Sequence, residues 1–297
     1  MKNKVLNIII LLMLMCCMCS ILSGCFIFDN GTKIKNLKYG PHERNVLDIY
    51  LPKSPDRAEA SVPVFLLIHG GGWAAGDKGD YKDFAKTLNK HGYAAVSMNY
   101  RFVDANTTYL DMLDDIAAAI RYIKDNGDIY KINTDNIALM GGSAGAHLAL
   151  LYSYKCYETS PINIAFVLSM VGPTDFTDSS YYADSMEYKD FWFNILSGLI
   201  GESITSTTYL DQPAALLDAS PISHVIEGVP PTILAYGALD NLVPYSNAER
   251  LYAALQSHNI PSNLITYSNS GHGLESDKDK AEELTQQILQ AASAYFN

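Results

Sequence analysis

A serine flanked by glycines is the residue best suited to chemistry in this sequence of 297 residues. The segment Gly141-Gly142-Ser143-Ala144-Gly145 follows an apolar run, Ile137–Met140, and precedes a helical stretch that contains His147. A G-x-S-x-G pattern between a strand and a helix forces a sharp turn, because a Cβ at the flanking positions would clash with both elements. The turn raises the Ser143 hydroxyl above the sheet and points the helix N-terminus at it, which favours negative charge there. The pattern predicts Ser143 as a catalytic nucleophile.

A second glycine-rich segment, His69-Gly70-Gly71-Gly72-Trp73, stands at the end of the apolar run Val62–Ile68. Consecutive glycines let backbone N–H groups face a site with no side chains in the way. Acyl transfer requires such donors where the carbonyl oxygen becomes negative. We therefore predict that the amides of Gly71, Gly72 and Ala144 form an oxyanion hole. A flexible glycine turn is the alternative interpretation.

The nucleophile needs a base, and the sequence contains seven histidines. In α/β sheets that carry a nucleophilic serine at a strand-to-helix turn, the chain order is serine, acid and then histidine. His272 follows the strand-like run Asn263–Tyr267 and lies between two glycines, in a loop that can bring an imidazole over the sheet. His258 is the alternative, but it sits at the close of a helix. His147, one helical turn after Ser143, is interpreted as structural. His272 is the predicted base.

An acid must orient that base, and two aspartates follow strand-like runs. Asp240 comes just after the run Thr232–Tyr236, in the strand-end loop that precedes the one bearing His272. Asp175 is the rival, because it follows the run Ile164–Val171. The loops that bear Asp240 and His272 follow consecutive strands and would reach the same edge of the sheet, which favours Asp240 over Asp175. For either aspartate, a solvated loop carboxylate is the alternative interpretation.

The elements that must position these residues alternate between strand and helix, which predicts a mostly parallel, doubly wound α/β sheet flanked by helices. The opening pair Ile34–Tyr39 and Asn45–Leu51 roughly alternates apolar and polar residues, as exposed antiparallel strands do. Later runs are apolar almost throughout, as in strands buried on both faces of a parallel sheet. They are Val62–Ile68, Tyr93–Met98, Ile137–Met140, Ile164–Val171 and Thr232–Tyr236. The clearest helical period lies in Asp111–Lys124.

One segment, residues 174–229, interrupts this alternation with several aromatic residues and no clean strand. It is too short for a separate domain, so we predict a lid-like insertion over one end of the sheet. Its aromatic part, residues 181–193, is expected to shape the substrate pocket or else to pack in the core. Residues 34–297 are accordingly predicted to form one domain.

The first 24 residues have the layout of a secretory signal, with Lys2 and Lys4 before an apolar run. The run ends in Leu22-Ser23-Gly24-Cys25, and small residues before a cysteine resemble the bacterial lipobox. We predict cleavage before Cys25, lipidation of its thiol, and residues 25–33 as a tether. A retained signal-anchor helix and a peptide cut elsewhere are the alternatives. The expected location is the bacterial cell envelope, anchored by lipid and facing outside the cytoplasm.

Removal of residues 1–24 would take away two lysines and no acid, so the net charge would fall from −11 to −13. This acidic balance argues against nucleic acid as a partner, because phosphates require clustered Lys and Arg. The lipid, rather than charge, would hold the chain on a membrane. Cys156 would then have no disulfide partner, and we interpret it as a helix-packing residue. No metal-ligand spacing is present, so neither a metal nor a cofactor is expected.

These motifs together resemble the α/β-hydrolase superfamily, and within it the carboxylesterases with an HGGG loop. The resemblance covers residues 45–297, with four motifs in the expected order. Trp73, Gly76-Asp77-Lys78 and the residues after Asp240 favour an acetyl or feruloyl esterase-like subgroup. The lipase-like subgroup would continue after Tyr100-Arg101 with Ala-Pro-Glu, which is absent here. Ala146 replaces a glycine that is common at the elbow, and the chain has no room for a propeller domain.

The resemblance implies a serine carboxylesterase of α/β-hydrolase fold that cleaves small acyl esters, such as acetyl or feruloyl groups on carbohydrate, with Trp73 at the substrate pocket. Ser143, His272 and Asp240 would form an acyl-enzyme by the usual serine mechanism. Two alternatives stay open. The same scaffold can hydrolyse amides, as in arylformamidases, or the chain can be a catalytically inactive, surface-anchored binding protein.

Overall fold

A computed structural model describes residues 31–53, 61–183, 188–205, 207–211 and 214–296. The predicted signal peptide, Cys25 and most of the predicted tether lie outside the described residues. The part of the chain that is described begins at the first strand and ends after the last helix.

The described strands form one eight-stranded sheet whose order is β1-β2-β4-β3-β5-β6-β7-β8. The strands β3 to β8 run parallel to one another, whereas β2 is antiparallel to both β1 and β4. Their bounds are β1 Thr32–Lys38, β2 Val46–Leu51, β3 Val62–Ile68, β4 Ala94–Met98, β5 Ile132–Gly142, β6 Asn163–Met170, β7 Thr232–Gly237 and β8 Ser262–Tyr267. The predicted mostly parallel sheet is confirmed.

Helices connect the parallel strands. Their bounds are α1 Lys82–Lys90, α2 Tyr109–Tyr130, α3 Ala144–Lys155, α4 Lys189–Ile200, α5 Ala214–Asp218, α6 Ser246–Ser257 and α7 Lys278–Tyr295. Short 3-10 turns lie at Lys78–Tyr81, Tyr157–Thr159, Ser179–Tyr182, Thr208–Asp211 and Pro221–His224. Apolar residues of α2, α3 and α6 pack on one face of the sheet, and those of α1 and α7 pack on the other. Helices therefore cover both faces, as in a doubly wound fold.

The central strand β3 shows why its sequence is apolar throughout. Val64 and Leu66 face the α2 side of the sheet, whereas Phe65 and Leu67 face the α7 side. All four side chains are buried. Since successive residues of a strand point to opposite faces, a strand covered on both sides needs apolar residues at every position.

The prediction of an exposed opening pair is half wrong. Strand β1 lies at the sheet edge and is mostly exposed, but β2 is buried from Leu47 to Leu51. The reason is topological, because β2 lies between β1 and β4 and is covered on both faces. Its one acid, Asp48, forms ion pairs with Lys33 and Lys78, each at 3.1 Å.

The predicted insertion lies between β6 and β7. Its described residues form α4, α5 and 3-10 turns, without a strand. Trp192 of α4 and Phe176 pack into the large core cluster. Whether this segment acts as a lid stays a prediction.

Candidate active site

Ser143 lies at the turn from β5 into α3, with φ 53° and ψ −124°. The backbone of a non-glycine residue at such a positive φ is strained, and this conformation persists only where the surrounding structure fixes it. The Ser143 amide donates to the Met170 carbonyl at 2.8 Å. A Cβ on Gly141 would lie 2.2 Å from the Gly145 carbonyl, and a Cβ on Gly145 would lie 2.0 Å from the Ile68 carbonyl oxygen. The two flanking glycines are therefore required by close packing, as the sequence predicts.

The structure brings together the three residues predicted for catalysis. The His272 Nε2 lies 2.9 Å from the Ser143 Oγ. The His272 Nδ1 lies 2.7 Å from the Asp240 Oδ2. Both His272 and Asp240 are buried, while the Ser143 side chain is half-buried. A hydroxyl, an imidazole and a carboxylate in one hydrogen-bonded chain can deprotonate the hydroxyl during attack on a carbonyl.

The orientation of Asp240 is set by the backbone that follows it. The amides of Leu242 and Val243 both donate to its Oδ1 at 2.9 Å, which leaves Oδ2 for His272. Asp175, the rival acid, lies elsewhere. Its Oδ2 pairs with Arg250, and its Oδ1 accepts from Thr177. The geometry therefore places Asp240, and not Asp175, against the base.

The glycine loop lies directly against the serine turn. A Cβ on Gly70 would lie 2.8 Å from the Gly142 carbonyl oxygen and 3.4 Å from the Ser143 Cβ. The loop turns at Gly71, with φ 110°, and its carbonyl accepts from Ala74 and Ala75. Among the turn, loop and cap hydrogen bonds of the described residues, none is donated by the amides of Gly71, Gly72 or Ala144. Amide donors on a loop that touches the serine turn, and at the first residue of α3, suit an oxyanion, and their role stays a prediction.

Trp73, the last residue of the glycine-rich segment, and His147 of α3 form a buried pair. Trp73 is 1% exposed, and its Nε1 donates to the His147 Nδ1 at 3.1 Å. The His147 Nε2 donates to the Ala219 carbonyl at 2.8 Å. The prediction of a structural role for His147 agrees with this burial. The prediction that Trp73 lines the substrate pocket stays open, although here its indole packs against His147, Phe176 and Trp192.

Arg44, which the sequence motifs do not include, and Trp192, which lies in the predicted aromatic segment, hold the loops of the site. Arg44 donates to the Tyr100 carbonyl at 2.8 Å and to the Gly76 carbonyl at 3.2 Å, and its guanidinium lies 3.5 Å from the centre of the Phe102 ring. Trp192 donates from Nε1 to the Leu242 carbonyl at 3.1 Å. Both contacts join residues far apart in sequence, so no local pattern signals them.

Two buried histidines give the fold a pH dependence. Burial lowers the pKa of His147 to about 4 and that of His69 to about 4, from an ordinary value of 6.5. Both are neutral in the folded chain, while the unfolded chain binds protons below pH 6.5. Stability is therefore full above pH 6.5 and falls as the pH drops toward 4, by up to about 1.4 kcal/mol per pH unit for each histidine. Urea unfolding at pH 7, 6 and 5 measures this slope.

A variant without one of these histidines separates their effect from that of the carboxylates. We expect His147→Asn to make the slope between pH 6.5 and 4 shallower by about 1.4 kcal/mol per pH unit at most. Urea unfolding of the wild type and of His147→Asn at the same pH values makes the comparison. Equal slopes in the two proteins contradict the prediction.

Three further features of the described residues bear on their chemistry. They contain no group of three or more acidic, histidine or cysteine side chains able to hold a metal ion. None of their helices combines the length and apolar character that crossing a membrane requires. Cys156 is a free, half-buried thiol just after α3, and burial raises its pKa, so it is a poor nucleophile.

The BD-FAE family model matches residues 47–255. A probable carboxylic ester hydrolase, LipM, of Mycobacterium tuberculosis is 28% identical over 72% of this chain and 49% of its own length. The dipeptidyl aminopeptidase BIII of Pseudoxanthomonas mexicana is 27% identical over 75% of this chain and 32% of its own length. The chain thus spans half or less of the length of these two relatives.

Among solved structures, a truncated form of a carbohydrate esterase from gut microbiota superposes with a TM-score of 0.69. It is 24% identical, and the match covers 86% of this chain and 96% of the other. At 24% sequence identity, this structural similarity is evidence for a shared fold. Together with the sheet order and the flanking helices, it identifies the α/β-hydrolase fold that the sequence predicts.

Proposed function

The chain belongs to the BD-FAE family, and from this premise we propose that it is a serine carboxylesterase that cleaves small acyl esters. The observation that carries the proposal is the unbroken chain of hydrogen bonds from Ser143 through His272 to Asp240. The esterase relative supports the same reaction.

In the first half-reaction, Ser143 Oγ attacks the ester carbonyl while His272 Nε2 takes its proton. Asp240 holds the His272 Nδ1–H and so stabilises the imidazolium that forms. The negative charge that develops on the carbonyl oxygen is held by the amides of Gly71 and Gly72 and by that of Ala144, at the N-terminus of α3. Collapse of the tetrahedral intermediate breaks the ester C–O bond, and His272 gives its proton to the departing alcohol.

In the second half-reaction, water takes the place of the alcohol. His272 removes a proton from the water, which attacks the acyl carbon of the acyl-enzyme. The same amides hold the second oxyanion. Release of the carboxylic acid returns the proton to Ser143 Oγ, and no redox step or cofactor enters this sequence.

The proposed substrates are neutral acyl esters on carbohydrate, with acetyl or feruloyl groups as the first candidates. The solved carbohydrate esterase supports this choice, because it shares the fold and its name gives carbohydrate esters as its substrates. The net charge of −11 supports it as well, because a strongly anionic substrate would be repelled.

The experiment that tests the proposal combines labelling with turnover. A fluorophosphonate probe is expected to attach to Ser143, identified by mass spectrometry of the peptide, and to abolish hydrolysis of 4-nitrophenyl acetate. Rates on acetylated, feruloylated and longer-chain esters then rank the acyl groups. A chain that hydrolyses none of them and does not react with the probe contradicts the proposal and favours the non-catalytic binding protein.

Amide hydrolysis is a second candidate function, because one relative carries the name of a dipeptidyl aminopeptidase. The same three residues could attack an amide carbonyl. Comparing 4-nitrophenyl acetate with N-formylkynurenine and with a dipeptide 4-nitroanilide separates the candidates. A higher kcat/KM on either amide would replace the esterase assignment.

The proposed location is the cell envelope, through a lipid on Cys25. The sequence around Leu22–Cys25 supports this, and these residues lie outside the described part of the chain. We expect Cys25→Ser to shift the protein from the membrane fraction to the soluble fraction in a bacterial host. Two acyl chains anchor a protein stably, and a serine at this position has no thiol to carry the lipid. Cys156→Ser is the matched control and should stay with the membrane. Membrane retention of Cys25→Ser would support the signal-anchor alternative.

A further inference from the structure

The glycine loop contains a strained residue that the proposed mechanism does not use. Trp73 follows Gly71 and Gly72 and adopts φ 58°, in the left-handed region. A bulky residue rarely adopts this conformation, and it persists only where other contacts hold it. Its carbonyl accepts from the Val103 amide at 2.9 Å, and its indole donates to His147 at 3.1 Å. The backbone conformation just after the two predicted oxyanion donors is thus tied to a side-chain hydrogen bond.

His147 is built to accept that bond. Its Nε2 donates to the Ala219 carbonyl at 2.8 Å, so the proton resides on Nε2 and Nδ1 is free to accept from Trp73. The imidazole has no exposed surface, and its ring packs edge-on against the indole with centroids 5.2 Å apart. No charged side chain contacts it among the described hydrogen bonds and ion pairs.

His147 is also attached to the nucleophile. Its backbone amide donates to the Ser143 carbonyl at 3.0 Å in the first turn of α3. The glycine loop touches the same turn, since a Cβ on Gly70 would lie 3.4 Å from the Ser143 Cβ. One side chain therefore connects the helix that carries the nucleophile to the loop that carries two of the oxyanion donors.

We propose that His147 is a positioning residue that, through Trp73, holds the Gly71 and Gly72 amides at the distance from Ser143 that the oxyanion requires. The inference rests on the proposed esterase function. A donor displaced by about 1 Å can cost up to about 100-fold in rate, so even a small relaxation of the loop is measurable.

Two substitutions at this position separate the two hydrogen bonds. In His147→Asn the side-chain oxygen takes the place of Nδ1 and still accepts from Trp73, while the bond to Ala219 is lost. In His147→Gln the amide nitrogen takes the place of Nε2 and still donates to Ala219, while the acceptor for Trp73 is lost. Trp73→Phe keeps a ring and removes the donor.

We expect His147→Gln and Trp73→Phe each to lower kcat/KM for 4-nitrophenyl acetate by about 10–100-fold. Affinity for a boronic acid, whose tetrahedral adduct on Ser143 places an oxygen in the oxyanion site, should fall by the same factor. The pH profile of kcat/KM should be unchanged. The double variant should lose no more than either single variant, and His147→Asn should stay within about threefold of the wild type.

The matched control is His224, whose Nε2 donates to the Asp218 carbonyl at 2.8 Å. No side-chain hydrogen bond of the described residues joins His224 to the glycine loop. His224→Asn should leave activity unchanged. Hydrogen exchange of residues 70–76 gives a readout that does not depend on activity, and it should quicken in His147→Gln and Trp73→Phe but not in His147→Asn.

The outcomes separate this inference from the proposed function. If the wild type neither labels at Ser143 nor hydrolyses esters, the proposed function fails, and the exchange data alone still decide whether His147 holds the loop. If the wild type is active and His147→Gln keeps both its kcat/KM and its boronic acid affinity, the positioning role is wrong. Equal losses in His147→Gln and His147→Asn, with lowered thermal stability in both, would indicate a packing residue and overturn it as well.

Discussion

Replacing Ser143 with alanine is expected to lower kcat for 4-nitrophenyl acetate by about 10⁴–10⁶-fold and to abolish fluorophosphonate labelling. The reason is chemical, because the Ser143 Oγ that lies 2.9 Å from His272 is the atom that would form the acyl-enzyme. The fold should be retained, since the change removes one half-buried oxygen and no backbone hydrogen bond. Equal thermal stability of the two proteins, measured by circular dichroism, would show that the loss belongs to the chemistry.

Ser153 on α3, the helix that follows Ser143, provides the matched control. Its side chain is fully buried, and its Oγ makes no hydrogen bond within the described part of the chain. Ser153→Ala should therefore leave activity and labelling unchanged, and it should keep or raise the stability because a buried unpaired hydroxyl is costly. If Ser143→Ala retained its esterase activity while Ser153→Ala lost it, the assignment of the nucleophile would be wrong.

The central part of the fold could be predicted because its signals are local and strong. The run Val62–Ile68 coincides with β3, and the predicted strand Thr232–Tyr236 lies within β7. The helical period found in Asp111–Lys124 belongs to α2, which extends from Tyr109 to Tyr130. Burial on both faces imposes an apolar residue at nearly every strand position, so the pattern carries the fold.

The contacts that fix the site could not be predicted in the same way. Sequence order placed His272 and Asp240 on loops at one sheet edge, but it gave no sign that Leu242 and Val243 amides orient the carboxylate. Trp192 reaches the acid loop from the insertion, across 50 positions of the chain. Such contacts depend on tertiary packing, which leaves no periodic trace in the sequence.

The exposure of β2 was mispredicted for a related reason. Polar residues in Asn45–Leu51 suggest one solvent-facing side, yet Asp48 is buried beside Lys33 and Lys78. A buried carboxylate that is paired with two cations satisfies its charge within the protein. Alternation in a sequence thus records which residues are polar, and it does not tell whether their partners are water or other side chains.

The acid of the site gives the second large expected effect. We expect Asp240→Asn to lower kcat by about 10⁴-fold. The Leu242 and Val243 amides donate to Oδ1, so the oxygen of an asparagine would occupy that place and its NH₂ group would face His272. The His272 Nδ1 would then accept a hydrogen bond and the proton would move to Nε2. The His272 Nε2 lies 2.9 Å from the Ser143 Oγ, and once it is protonated it cannot take the proton of that hydroxyl.

Asp175 is the matched control, because it is buried like Asp240 and also follows a strand of the sheet. Asp175→Asn removes the ion pair with Arg250 and should lower the stability, while kcat stays within a few fold of the wild type. Kinetics on 4-nitrophenyl acetate and thermal unfolding of both variants make the comparison. If kcat fell by about 10⁴-fold in Asp175→Asn while Asp240→Asn stayed active, the acid that orients His272 would be Asp175, on the loop after β6. The opposite pattern ties the loss to the tautomer of His272, since burial and strand position are shared by the two acids.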